Sequence, residues 1–172
     1  ARATFFVLGN RVDNFPNIIQ REYSQGHEIG SHSFSHPQIT TLTSDEIEYQ
    51  FAETEHRIQQ YVPYTTKLVR PPYGQITQSL KEVLQKTFVL WSIDTQDWKT
   101  RDKDAIVSEV LNNVKDGDII LMHDMYSTTA DACEELIPAL IERGYQLVTV
   151  SELLNAKEIT PVAGSVYSRV LS

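Results

Sequence analysis

The sequence predicts an α/β fold with parallel strands: a distorted (β/α) barrel of seven or eight strands. Three observations point there. Short apolar runs alternate with amphipathic runs about six times, in strict order. Four polar residues, His32, Arg70, Asp94 and His123, each stand just past a strand candidate, as side chains do on the C-terminal rim of a barrel. The loop after the first strand candidate, Leu8-Gly9-Asn10-Arg11, holds one glycine, whereas an open dinucleotide-binding sheet has a Gly-rich phosphate loop there.

Residues 4–8 are apolar and β-rich, the first strand candidate. A helix is expected over 14–25, with Asn14 as N-cap, Pro16 in the first turn and Gly26 as the stop. A short strand follows at 27–30. The clearest helix is 43–60, where Thr43 and Glu46 fit a capping box and Ile47, Phe51 and Ile58 recur at helical spacing. Next come a strand at 67–69, a helix at 77–86 and a strand at 88–93. A helix at 103–114 puts Ile106, Val110, Leu111 and Val114 on one face. A strand at 118–122 leads to a helix at 130–143 closed by Gly144. A last strand is expected at 146–150 and a helical turn at 151–154. Residues 1–156 are expected as one catalytic domain, and 157–172 as a peripheral polar tail.

The chain has 172 residues, 41% hydrophobic and 22% charged, which is ordinary globular composition. Fifteen basic against 23 acidic residues leave a net charge of −8. Nucleic acids and anionic membrane surfaces select Lys/Arg-rich partners, so neither is expected; a neutral or cationic substrate suits the chain better. No apolar run reaches the roughly 18 residues of a membrane span. Cys133 is the only cysteine, in a helical stretch, and reads as a small buried hydrophobe. Because the first residues already read as a buried strand, upstream sequence is expected.

His32-Ser33-Phe34-Ser35-His36-Pro37 offers two imidazoles four residues apart. Pro37 pushes His36 out of the α region, so the pair sits on a curled loop and not on a zincin helix, and Ser33 stands where a zincin has its Glu. Two imidazoles fall short of the three protein ligands of a catalytic zinc-type site. Asp94, Asp97, His123 or an upstream residue are the candidates for the third. In Arg70-Pro71-Pro72-Tyr73-Gly74 two prolines stiffen the backbone, so that Arg70 can clamp a carboxylate and the Tyr73 N–H can face an oxyanion. Asp94-Thr95-Gln96-Asp97-Trp98 offers a carboxylate to orient a histidine and an aromatic wall for a sugar, or simply an Asx-turn and a helix start. Leu121-Met122-His123-Asp124 offers a general acid, or simply a rim histidine.

In order, His32-Ser33-x-x-His36-Pro37, Arg70-Pro71-Pro72-Tyr73-Gly74, Asp94-x-x-Asp97-Trp98 and Leu121-x-His123 resemble four of the five motifs of the polysaccharide deacetylases (NodB homology, carbohydrate esterase family 4). Residues 3–9 also resemble the strand after that family's first motif. The resemblance covers about residues 1 to 154 and is greatest to bacterial peptidoglycan N-acetylglucosamine deacetylases. It implies metal-dependent removal of N-acetyl groups from peptidoglycan or a chitin-like polysaccharide, or of O-acetyl groups from xylan. It implies that His32 and His36 bind a divalent metal, zinc foremost, with cobalt, nickel or iron as alternatives. By the same resemblance Arg70 orients the catalytic base and Tyr73 offers its N–H to the oxyanion. Asp97 orients His123, His123 protonates the leaving amine, and Trp98 and Leu121 shape the acetyl pocket. The family's first motif, Thr-Phe-Asp-Asp-Gly-Pro, which carries the base and the third ligand, does not occur in the sequence. The expectation is therefore a barrel without its first strand and helix, completed by a separate N-terminal fragment. A non-catalytic carbohydrate-binding remnant is the alternative. The presumed substrate implies an extracellular or cell-envelope location.

Overall fold

The computed structural model describes residues 1–171. Among the described residues there are seven strands, all but β4 and β5 separated by helices: β1 (Thr4–Val7), β2 (Glu28–Ser31), β3 (Leu68–Val69), β4 (Thr87–Val89), β5 (Ile93–Asp94), β6 (Ile120–Leu121) and β7 (Val166–Tyr167). All ladders between them are parallel. They form a five-stranded sheet, β1-β2-β3-β4-β7, and a two-stranded one, β5-β6. Two compact units result, one of Arg2–Leu90 with Ile159–Tyr167, the other containing Trp91–Glu158 and the chain from Ser168.

In the first unit the register Phe5↔Ile29, Phe6↔Gly30 is set by a steric fit. A Cβ on Gly30 would lie 2.5 Å from the Phe6 ring, so only glycine lets that ring cover β2. Outside the sheet run α1 (Gly9–Val12), α2 (Pro16–Ser24), α3 (Ser44–Gln59) and α4 (Gln78–Leu84). α3 begins with the expected capping box of Thr43 and Glu46. Its buried stripe is Ile47, Phe51, Thr54 and Ile58. Thr54 enters that apolar stripe because α1 comes so close; a Cβ on Gly9 would meet the Thr54 Cα at 2.9 Å. The Thr54 hydroxyl stays satisfied by donating to Gln50 O (2.7 Å).

The second unit holds α5 (Asp97–Thr100), α6 (Lys103–Asn113), α7 (Ser127–Glu142) and α8 (Val150–Ala156). Its core is Ile93, Ile106, Val107, Val110, Ala132, Leu136 and Leu140. Cys133 is half-buried there, 3.7 Å from Met122 Sδ, and burial raises its thiol pKa.

Five expectations are corrected. Residues 88–93 are two strands, not one: Leu90 N–H donates to Tyr167 O, and two residues later Ser92 N–H donates to Ile119 O. Residues 146–150 form no strand. Leu147 packs against the α6–α7 core, and Thr149 is spent on a capping box with Glu152 at the start of α8. The residue at the N-cap of α2 is Phe15, not Asn14. α1 was not expected. Lastly, the tail is not peripheral: β7 pairs with β4, and Val170 is 1% exposed. Ser172, also assigned to that tail, lies outside the described residues.

Candidate functional site

Each unit assembles its own group of the motif residues. In the first, β2 ends at Ser31 and the next residue turns the chain. His32 N–H donates to Val7 O (2.9 Å) and Arg70 N–H to Ser31 O (3.0 Å), which holds the ends of β1, β2 and β3 level. Ser33 (φ 73) and His36 (φ 61) are both left-handed, a conformation side chains resist by about 1–2 kcal/mol each. His36 thus leaves the α region as Pro37 requires, but into the left-handed basin and not the extended one. Gln50 holds the loop: its Oε1 accepts from Phe34 N–H (3.0 Å) and Ser35 N–H (2.9 Å). Ser33 Oγ accepts from His36 N–H (3.1 Å). The outcome is two imidazoles with ring centroids 4.9 Å apart.

His32 Nδ1 lies 2.5 Å from Arg70 O. A carbonyl only accepts, so Nδ1 carries the proton and Nε2 presents its lone pair, the tautomer metal-binding histidines use. Arg70 Nη2 donates toward that Nε2 (3.3 Å), and the guanidinium lies 5.7 Å from the centre of the Phe6 ring that Gly30 admits. The Tyr73 ring stands 4.7 Å from that of His36, edge to face. Between Pro72 and Gly74, Tyr73 is itself left-handed (φ 57) and 65% exposed. The turn closes by Gly74 N–H to Pro71 O (3.0 Å) and Gln75 N–H to Pro72 O (3.1 Å).

This donor set fits two ligands of a divalent metal and stops short of a third. Among the described residues no group of three His, Cys, Asp or Glu could hold an ion.

In the second unit Asp97 is the organising residue, with a fully buried side chain. Its Oδ1 accepts from His123 Nδ1 (2.7 Å) and Trp98 N–H (2.9 Å). Its Oδ2 accepts from His123 N–H (2.6 Å) and Thr129 Oγ1 (2.8 Å). All four lone-pair positions of the carboxylate are thereby filled. Burial would raise its pKa, but these hydrogen bonds outweigh burial and hold it below the ordinary 3.8. Asp97 is therefore a fixed anion and an orienter, with no room left to act as a base. His123 keeps its Nδ1 proton on Asp97, so proton traffic falls to Nε2. Trp98 is half-exposed, and Leu121 is buried, its carbonyl accepting from Thr95 Oγ1 (2.8 Å). Asp94 makes the Asx-turn, its Oδ1 accepting from Gln96 N–H (2.9 Å).

A depressed folded pKa means that Asp97 contributes stability above the unfolded value, lost as pH falls through the folded one. The stability advantage of the native chain over Asp97→Asn is expected to be full above about pH 5 and to shrink below pH 4. Urea midpoints across that range measure it; a constant difference would show that Asp97 is not held as an anion.

Sequence reasoning missed Gln50 and Thr129. Gln50 carried a faint signal, a polar residue directly before the buried Phe51; Thr129, inside Ser127-Thr128-Thr129, carried none.

Residues 1–89 match the polysaccharide deacetylase family model. The chain belongs to that family. The deacetylase match continues past residue 89 in individual relatives. Over 156 residues, 91% of the chain, it is 46% identical to the peptidoglycan-N-acetylmuramic acid deacetylase PdaC of Bacillus subtilis. It is 38% identical over the same share to the peptidoglycan-N-acetylglucosamine deacetylase PgdA of Listeria monocytogenes. It spans about a third of the length of these curated relatives, 33% and 34% respectively. Among solved structures it is similar to a family 4 acetyl xylan esterase of Clostridium thermocellum in complex with a cobalt ion. That likeness has TM-score 0.94 and 34% identity, and covers 99% of this chain and 86% of the other. The fold is thus the (β/α) barrel-like fold of the carbohydrate esterase family 4 deacetylases, as the alternation of elements predicts.

Proposed function

We propose that this chain carries most of the active site of a metal-dependent deacetylase that removes N-acetyl groups from N-acetylglucosamine residues of peptidoglycan or a chitin-like polysaccharide and releases acetate. The observation that supports it best is the saturated Asp97–His123 pair. An amide expels its amine only when that nitrogen is protonated, and an imidazole held by Nδ1 on a fixed carboxylate offers Nε2 for this step. In this reading His32 and His36 hold a divalent metal, zinc foremost, with cobalt, nickel or iron as alternatives. When bound, the metal polarises the acetyl carbonyl and acidifies water. The left-handed turn at Tyr73 presents its N–H to the oxyanion, Arg70 orients the base, and Trp98 and Leu121 line the acetyl pocket.

The base and third ligand are then aspartates of a separate N-terminal segment of the same protein. Two features support this: the ligand set stops at two imidazoles, and β1, at the end of its sheet, is laddered only to β2. We assign residues 1–156 to the catalytic domain. An extracellular or cell-envelope location follows from the substrate; no helix among the described residues is long and apolar enough to cross a membrane. An acetylxylan esterase is the second reading, favoured by the likeness to the cobalt-bound esterase. A non-catalytic glycan-binding chain is the third, favoured by Asp97 being unable to serve as base.

The test is acetate release from an N-acetylglucosamine oligomer, with and without chelator, alone and with an added Asp-Asp-containing N-terminal segment. Release is expected only with the segment, falling to background with chelator and returning with zinc or cobalt. No release under any of these conditions would sink the proposal, and release only from acetylated xylan would favour the second reading.

A further inference from the structure

We propose that Arg101, laid on the ring of Tyr126, is a subsite for a carboxylate-bearing sugar residue next to the one that meets His123. The inference rests on the glycan deacetylase reading above and refines its substrate to an acidic glycan.

The guanidinium carbon of Arg101 stands 4.7 Å from the centre of the Tyr126 ring. A guanidinium resting on an aromatic face is fixed in orientation, and its in-plane N–H groups still point outward for a planar, bidentate anion. Among the described residues Arg101 makes no ion pair. The nearest acids in sequence are engaged elsewhere: Asp97 is saturated, and Asp102 Oδ1 accepts from Ala105 N–H (3.0 Å) as the cap of α6. A cation laid on an aromatic face, with no acid at ion-pair distance among the described residues, is placed to receive an anion from outside.

Both members of the pair are tied to the groups that orient His123. Arg101 ends α5 in a left-handed conformation (φ 48), and its N–H donates to Asp97 O (3.0 Å). It thus stands one helical turn, about 6 Å, beyond Asp97. Tyr126 lies three residues after His123 and caps α7, where Thr129 grips Asp97 Oδ2. Trp98, 50% exposed, and Met125, 70% exposed, add apolar surface on the same two segments for the faces of sugar rings. Asp124 is the one exposed acid between His123 and Tyr126, and it disfavours an anion there. The expected gain from Arg101 is therefore that of a partly solvated pair.

Two glycan sources share this chemistry: the lactyl carboxylate of muramic acid and the carboxylate of a uronic acid. The experiment measures calorimetric dissociation constants for three tetrasaccharides: N-acetylglucosamine only, the same alternating with N-acetylmuramic acid, and a xylo-oligomer bearing glucuronic acid. Each is measured against the native chain, Arg101→Gln, Arg101→Lys and Tyr126→Leu. Arg101→Gln is expected to lower the ratio of acidic to neutral affinity about fivefold. Arg101→Lys should recover part of that ratio and Tyr126→Leu lose part of it, and added salt should weaken the acidic oligomer more than the neutral one. The acidic oligomer whose ratio responds identifies the source. An unchanged ratio for both, with the native chain binding the neutral oligomer, would overturn this subsite and leave the deacetylase reading standing. Failure of the native chain, with the N-terminal segment added, to bind any of the three would overturn both.

Discussion

His123→Ala is expected to lower turnover by about 10²–10⁴-fold, the usual weight of a positioned general acid, while the bound metal stays at its native level. His36→Ala is expected to do the reverse at the first step and lose the metal, with turnover lost as a consequence. The contrast follows from geometry. His123 donates its Nδ1–H to a carboxylate that three further donors already hold, so the ring has one free role, at Nε2. His36 has a ring 4.9 Å from that of His32, and the motif places no other function on it. Removing the His123 ring still leaves Asp97 three donors, Trp98 N–H, His123 N–H and Thr129 Oγ1, so the loop keeps its shape. His123→Asn guards against the objection that the loop has moved, since its amide can still donate to Asp97 but cannot deliver a proton. Metal per chain after dialysis and acetate release with the segment added read the two effects separately. Full turnover in both His123 variants would remove His123 from the mechanism, and metal loss in both positions would make it a ligand.

The residues that each unit groups together were more legible in the sequence than the connections that deliver them. His32, His36, Arg70, Asp97 and His123 declare themselves by residue type and place, because a charged or titratable side chain in the short loop after an apolar run has few structural reasons to be there. Their helpers do not. Gln50 and Thr129 act through side-chain hydrogen bonds to residues 15–16 and 32 positions away in sequence, and no periodicity encodes such partners. The strands show the same limit. An apolar run reports burial but not which neighbour supplies the ladder. Phe88–Ile93 reads as one strand, yet the chain changes sheets after Leu90, where Ser92 Oγ donates to Asp118 Oδ1 (2.7 Å). Residues 146–150 have strand composition and find no ladder, whereas the unremarkable pair Val166–Tyr167 finds β4. Pairing is a property of two segments, and only one is visible at a time in a sequence.

The tail supplies the largest stability effect expected of one methyl group. Gly117 has φ +84, and a Cβ placed on it would lie 1.9 Å from Val170 O. That carbonyl cannot retreat freely, because Val170 N–H donates to Gly117 O (2.8 Å) and the Arg169 guanidinium is paired with the buried Asp118 carboxylate. Burial pushes Asp118 up, but hydrogen bonds from Ser92, Lys115 N–H and Arg169 outweigh it and hold the group ionised. Gly117→Ala therefore combines left-handed strain with eviction of Val170, together about 3 kcal/mol. For a chain of this length that lowers the melting temperature by about 6–12 °C. Gly144→Ala separates the two parts: Gly144 has φ +87 and nothing within 4 Å of an added Cβ, so it should show the strain alone, about 1–2 kcal/mol. A double-mutant cycle then locates the remainder. If Gly117→Ala acts by displacing the tail, its cost in a Val170→Ala background should fall toward that of Gly144→Ala, because the packing it would disrupt is already gone. Strict additivity of the two substitutions would mean that the tail is not what the methyl group strikes, and a Gly117→Ala chain as stable as the native one would mean that the tail is not seated on this turn at all.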